Sequence, residues 1–117
     1  MTTSEIATVL AWHDALNDEN LGTLEQLSSD DIEIGDAHGA AQGLEALRRW
    51  ADDFDSPVTV GRMYVRGGVV VVEQTSGDVT GAAAFRVVHD HVTAAFRHES
   101  LESALAATGL TEADLDA

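Results

Sequence analysis

An α+β chain is what this sequence predicts. Apolar residues recur at helical spacing through the first half, while valine-rich and alternating stretches separated by short turn signals fill the second. Helices followed by successive strands, rather than strictly alternating units, indicate a mostly antiparallel sheet with helices on one side. The expected order is ααβαββββα, in a single domain over residues 1–117.

Each element has a local reason. Thr2-Thr3-Ser4-Glu5 fits a capping box with Thr2 as N-cap, and Ile6, Val9, Leu10, His13 and Leu16 then follow helical spacing until Asn17-Asp18-Glu19-Asn20. Leu21, Leu24 and Leu27 suggest a short second helix. Asp31-Ile32-Glu33-Ile34 alternates as a short strand broken at Gly35. Gly43 opens a third helix with Leu44, Leu47, Trp50, Ala51 and Phe54 on one face, ended by Ser56-Pro57. Strands are expected from Val58 to Val65, Val69 to Thr75, Thr80 to Val88 and His91 to His98. Gly67-Gly68, Ser76-Gly77-Asp78 and His89-Asp90 are the turns between them, and Gly81 marks a bulge or bend. Ser100 caps a last helix that stops at Gly109, and Thr111-Glu112-Ala113-Asp114 starts one more turn. Four successive strands behind three helices make a curved sheet wrapped around a helix, whose open mouth suits a ligand.

Composition narrows the function. Acidic residues outnumber basic ones 21 to 6, for a formal net charge of −15, and every base is an arginine. Such a surface repels phosphate backbones and anionic lipid, so neither nucleic acid nor a membrane is an expected partner. The acidity fits a salt-adapted cytoplasm or an arginine-preferring, GC-rich genome. No cysteine is present, which excludes disulfides, thiolate zinc sites and a cysteine nucleophile. No apolar run approaches the roughly 20 residues that span a bilayer, and the first residues lack a basic start, so a cytoplasmic protein is expected.

Several segments together resemble the nuclear-transport-factor-2-like superfamily, which includes SnoaL-type cyclases and ketosteroid isomerases. They are Trp12-His13-Asp14-Ala15-Leu16-Asn17, Leu24-Glu25-Gln26-Leu27, Asp30-Asp31-Ile32-Glu33-Ile34, Gly43 through Trp50, Ser76-Gly77, and Phe85-Arg86-Val87-Val88. The resemblance runs from residue 4 to about residue 100. It implies a cystatin-like cone, helices packed in the concave face of a curved sheet, a homodimer, and a pocket for a small apolar organic ligand. The activities it implies are cofactor-free cyclase, isomerase or hydrolase chemistry. A non-catalytic ligand-binding protein and a dimeric interaction module remain as alternatives, because a shared fold does not transfer chemistry.

The resemblance places Asp36 on the catalytic aspartate of ketosteroid isomerases, where a carboxylate acts as base and two further groups hold the enolate; the alternative is that Asp36-Ala37-His38-Gly39 is an ordinary polar loop joining a strand to a helix. The tyrosine position is Trp12 here, and the second aspartate falls on Ala83 or its neighbours Ala82 and Ala84. An indole donates one hydrogen bond but exchanges no proton near neutral pH, and alanine donates nothing. His13 is a candidate partner for Asp36, with a hydrogen-bonded core histidine as the alternative. Trp12, Trp50, Tyr64, Phe85 and Phe96 are candidates to line the cone, with ordinary core packing as the alternative. Arg62, Tyr64 and Arg66 alternate onto one strand face, suiting an anionic ligand, a polar outer face or a dimer surface. His89-Asp90-His91 reads as a solvated turn; no metal site and no cofactor are expected. Val69 to Val72 are apolar on both faces, so the face turned from the cone interior calls for a partner, and a homodimer through that face is expected.

Overall fold

Three helices fill the concave side of one sheet and a fourth covers its convex side. The computed structural model describes residues 2–36, 39–52 and 57–116. Helix α1 spans Thr2–Asn17, α2 Leu21–Gln26, α3 Leu44–Asp52 and α4 Leu101–Thr108. Strands are β1 Ser28–Asp36, β2 Gly39–Gln42, β3 Thr59–Arg66, β4 Val69–Ser76, β5 Val79–Val88 and β6 His91–His98. They form a six-stranded sheet in the order β2-β1-β6-β5-β4-β3, with the β1–β6 pair parallel and the others antiparallel.

The concave face is built by strict alternation. Val70, Val72 and Gln74 of β4, Ala83, Phe85 and Val87 of β5, and Met63 and Val65 of β3 turn inward, where all are buried. Trp12, Val9 and Leu16 of α1, Leu24 of α2 and Leu47 of α3 complete that core, with Trp50 packed against it. Fully burying such side chains contributes roughly 1.5–3 kcal/mol each, which makes this cluster the main stabilising element. The alternate residues Tyr64, Val71 and Ala82 form a second cluster on the convex face with Ala104 and Leu110. The chain's own C-terminal segment thus covers the valine-rich face expected to need a partner. That removes the argument for a homodimer through it.

Several sequence expectations change in detail. Helix α1 already includes Thr2, one residue earlier than a Thr2 cap requires. Strand β1 continues through Gly35 instead of breaking there, because Gly35 pairs with both Ala40 and Phe96. An added strand, β2, folds back on β1 where a loop was expected. All four of its residues are exposed and small or polar, so no alternation marked it. Gly81 is in regular register with Gln74, and the irregularity in β5 lies between Arg86 and Val87. Glycine at 81 instead permits a close approach, since a Cβ there would stand 3.0 Å from the His98 carbonyl oxygen. Ala37, His38, Asp53, Phe54, Asp55 and Ser56, which include part of the expected third-helix face and its end, lie outside the described residues.

The C-terminal half matches its sequence signals closely. His89 and Asp90 both take positive φ, at 51° and 64°, as the tight turn between β5 and β6 requires. Ser100 caps α4 by accepting from the Ser103 N–H, and Gly109 ends it in the left-handed region at φ 77°. Thr111 and Asp114 form a capping box on the final 3-10 turn.

Candidate functional site at the cone mouth

A cavity of about 400 Å³ opens at one end of the sheet. Asp36 lines it as the last residue of β1, Gln74 and Ser76 from the end of β4, and Thr80 from the start of β5. Arg97 and His98 line it from the end of β6, followed by Glu99, while Val58 and Val79 supply apolar surface. These residues meet because β4 and β6 run in the same direction and both end where β5 begins. The lining is mixed, with polar side chains set among apolar surface. The large aromatic side chains are spent on the core.

Asp36 is exposed at the rim of this cavity. His13 does not join it. The imidazole is 2% exposed, its Nδ1 lies 2.8 Å from the Val9 carbonyl oxygen, and its Nε2 lies 2.9 Å from Nε2 of Gln74. Both ring nitrogens are therefore engaged: His13 is the hydrogen-bonded core histidine of the two readings the sequence allowed, and it does not pair with Asp36. Burial pushes the His13 imidazole below its usual value of 6.5, outweighing the Val9 hydrogen bond and the Asp14 carboxylate, which act the other way.

The aromatic candidates also lie away from the mouth cavity. Trp12 is fully buried and its indole N–H donates to the Ser28 hydroxyl at 3.0 Å. Its ring packs on Trp50 and Phe85 at centroid distances of 5.4 and 5.2 Å, and Phe85 meets the His13 ring edge-on. These three aromatics fill the cone instead of lining a void, as close packing of a small core demands. Tyr64 points to the convex face, where its hydroxyl donates to the Glu112 carboxylate at 3.3 Å. Burial, and then the Glu112 charge, push that phenol up. Phe96 also belongs to the convex face, lying over Gly35 and lining a smaller cavity of about 260 Å³ with Ser103, which shares Asp36, Arg97, His98 and Glu99 with the mouth cavity.

The arginine–tyrosine row on β3 fastens the C-terminal segment. Arg62 pairs with Glu73 on the neighbouring strand, while Arg66 donates to the Gly109 carbonyl at 2.6 Å and pairs with Asp114. Arg62 and Arg66 are thus exposed on the convex face, with Tyr64 buried between them. His89 is an exposed turn residue and His91 the exposed first residue of β6, with His91 Nδ1 2.9 Å from the His89 carbonyl oxygen. Among the described residues no three His, Asp or Glu side chains cluster as metal ligands.

Sequence reasoning missed Gln74, Arg97, His98 and Thr80. For Gln74 the signal was present: alternation through Val70 and Val72 puts a polar residue at the next inward position of a buried strand. The others sit at strand ends whose convergence depends on the sheet order.

No family model matches the sequence, and no curated protein matches it. Solved structures do. A hypothetical protein with a ketosteroid isomerase-like fold from Catenulispora acidiphila, in complex with trimethylamine, is 25% identical with a TM-score of 0.66, covering 89% of this chain and 93% of that one. An LEH-like epoxide hydrolase from M. tuberculosis is 18% identical with a TM-score of 0.71, covering 90% and 84%. An NTF2-like protein of unknown function from Cytophaga hutchinsonii is 16% identical with a TM-score of 0.71, covering 85% and 92%. Element order, the curved sheet with helices in its concave face, and these matches agree: the fold of this chain is that of the nuclear-transport-factor-2-like superfamily.

Proposed function

We propose that this chain binds a small organic molecule, partly polar, in the cavity at the cone mouth. The observation that carries this reading is the convergence of Asp36, Gln74, Arg97 and His98 around one opening of about 400 Å³, with Val58 and Val79 offering apolar contact. That volume lies within the range of small-molecule sites, and a few placed polar groups among apolar walls is their usual chemistry. The trimethylamine held by the Catenulispora protein supports binding of a small molecule by this fold.

A second reading, cofactor-free isomerase, cyclase or hydrolase chemistry, is favoured by the position of Asp36. Its carboxylate lines the cavity where it can accept a proton from a ligand, and the His98 imidazole lines the same cavity. The oxyanion-holding groups of a ketosteroid isomerase have no counterpart at Trp12 or Ala83. Trp12 is committed to Ser28, and Ala83 is buried in the core. Any reaction here must stabilise developing charge through other donors, of which the Arg97 guanidinium is one.

Screening a fragment library by protein-observed NMR tests both readings. Binding at Gln74, Thr80 and His98 is expected. If a bound fragment is turned over, Asp36→Asn should retain its affinity and lose at least about 100-fold in rate. Retention of the full rate by that variant would remove Asp36 from the chemistry.

A further inference from the structure

The cavity wall contains one polar group whose hydrogen-bonding sense is set by a residue behind it. Gln74 lines the cavity yet is only 5% exposed, and its side-chain nitrogen is turned away from the opening toward His13. The Val9 carbonyl can only accept, so the His13 Nδ1 beside it must carry a hydrogen. In the neutral imidazole the other nitrogen, Nε2, is then an acceptor, and Gln74 must present its N–H₂ group to it. Burial holds the ring neutral. A carboxamide whose nitrogen is fixed in this way has its carbonyl oxygen, Oε1, fixed as well. The amide cannot flip without placing two acceptors, Oε1 and His13 Nε2, against each other in a buried site.

We propose that His13 locks Gln74 so that Oε1 is a fixed acceptor in the cavity wall, selecting ligands that bring a hydroxyl or N–H donor over those that bring a carbonyl. This rests on the small-molecule reading of the cavity and deepens it. Gln74 is the specificity-determining residue, and His13 is a positioning residue that acts through it. The role assigned to His13 is one of orientation, and no proton passes between it and the ligand.

Cyclohexanol and cyclohexanone form a matched probe pair: similar in size, one donor and acceptor, the other acceptor only. Titrations followed by NMR should show cyclohexanol binding about five- to ten-fold more tightly, as one net hydrogen bond implies, with the Gln74 side-chain amide among the shifted resonances. Gln74→Met keeps the length and removes the acceptor, so it should abolish the preference. His13→Leu, which cannot hold the amide, should also lose the preference. His13→Gln retains one donor and one acceptor and should restore at least part of it, an outcome that a purely space-filling His13 would not produce.

The tautomer is read directly in the unsubstituted protein from the 15N shifts of the His13 ring. A protonated Nδ1 and bare Nε2 are expected. The opposite tautomer, or equal binding of the two probes, overturns this inference while leaving the cavity reading intact. Binding of neither probe at saturating concentration, with no other fragment shifting the cavity residues, removes the cavity reading and this inference together.

Discussion

The indole N–H of Trp12 donates to the Ser28 hydroxyl at 3.0 Å, and that hydroxyl donates in turn to the Leu24 carbonyl at 2.8 Å. One buried hydroxyl therefore satisfies the indole of α1 and joins it to the last turn of α2 and the first residue of β1. The relationship explains why Trp12 is unsuited to act as a donor at the cavity.

Ser28→Ala strands the Trp12 N–H in the core. The expected loss is about 1–3 kcal/mol of unfolding free energy, the usual cost of a buried donor left without a partner. Urea unfolding measures it. A change under about 0.5 kcal/mol would mean that the indole finds another acceptor.

Buried, neutral His13 makes stability depend on pH. Its folded-state pKa is lowered from 6.5, so below pH 6.5 the unfolded chain binds the proton that the folded chain refuses. Stability is therefore complete above that pH and falls as pH drops below it, by up to about 1.4 kcal/mol per pH unit, until the folded-state pKa is reached. Comparison with His13→Gln between about pH 6.5 and 5.5 isolates this contribution, since every other ionisable group is common to the two proteins. Parallel profiles for the two proteins would show that His13 ionises freely in the fold.

Gly35 lies beneath the Phe96 ring, and a Cβ there would stand 2.6 Å from a ring carbon and 3.0 Å from the Gly39 carbonyl oxygen. Gly35→Ala should cost about 1–3 kcal/mol through overpacking and loosen the β1–β2 hairpin next to Asp36. Gly22→Ala is the control, since its nearest neighbour is 3.8 Å away and the site is an exposed helix position. That change should be neutral or stabilising by up to about 1 kcal/mol. Thermal melts of both variants check the contrast.

A net charge of −15 on a chain this small predicts stabilisation by salt. The observed ion pairs, Arg48 with Glu25, Arg49 with Glu45, Arg62 with Glu73 and Arg66 with Asp114, would lose strength on screening. Each exposed pair contributes only about 0–1 kcal/mol, so relief of the carboxylate repulsion wins. The melting temperature should rise as sodium chloride goes from about 0.05 to about 2 M, where the screening length falls to about 3 Å or less. A flat or falling curve would give the ion pairs the larger role.

Legibility in the sequence followed the strength of the local pattern. The bounds of β6, the His89-Asp90 turn and both ends of α4 were readable because alternation, turn chemistry and caps agreed there. Strand β2 was not, since Gly39–Gln42 has neither alternation nor a large side chain and exists through pairing with β1. The covering of Val71 by Ala104 and Leu110 was missed because the small apolar face of α4 does not show which side of the sheet it meets. At the site, Asp36 was found through its resemblance to a known position. For Tyr64, Phe85 and Trp12 the sequence left cavity lining and core packing both open, because an aromatic side chain signals burial without saying whether it faces a cavity or fills one.

The central claim is that the mouth cavity is a binding site, and a residue-resolved NMR titration with small organic fragments tests it most directly. Shifts concentrated at Asp36, Gln74, Thr80 and His98, with Tyr64, Val71 and Leu110 unmoved, are the result this account predicts. Shifts confined to the α4-covered face, or no saturable shift with any fragment, would contradict it.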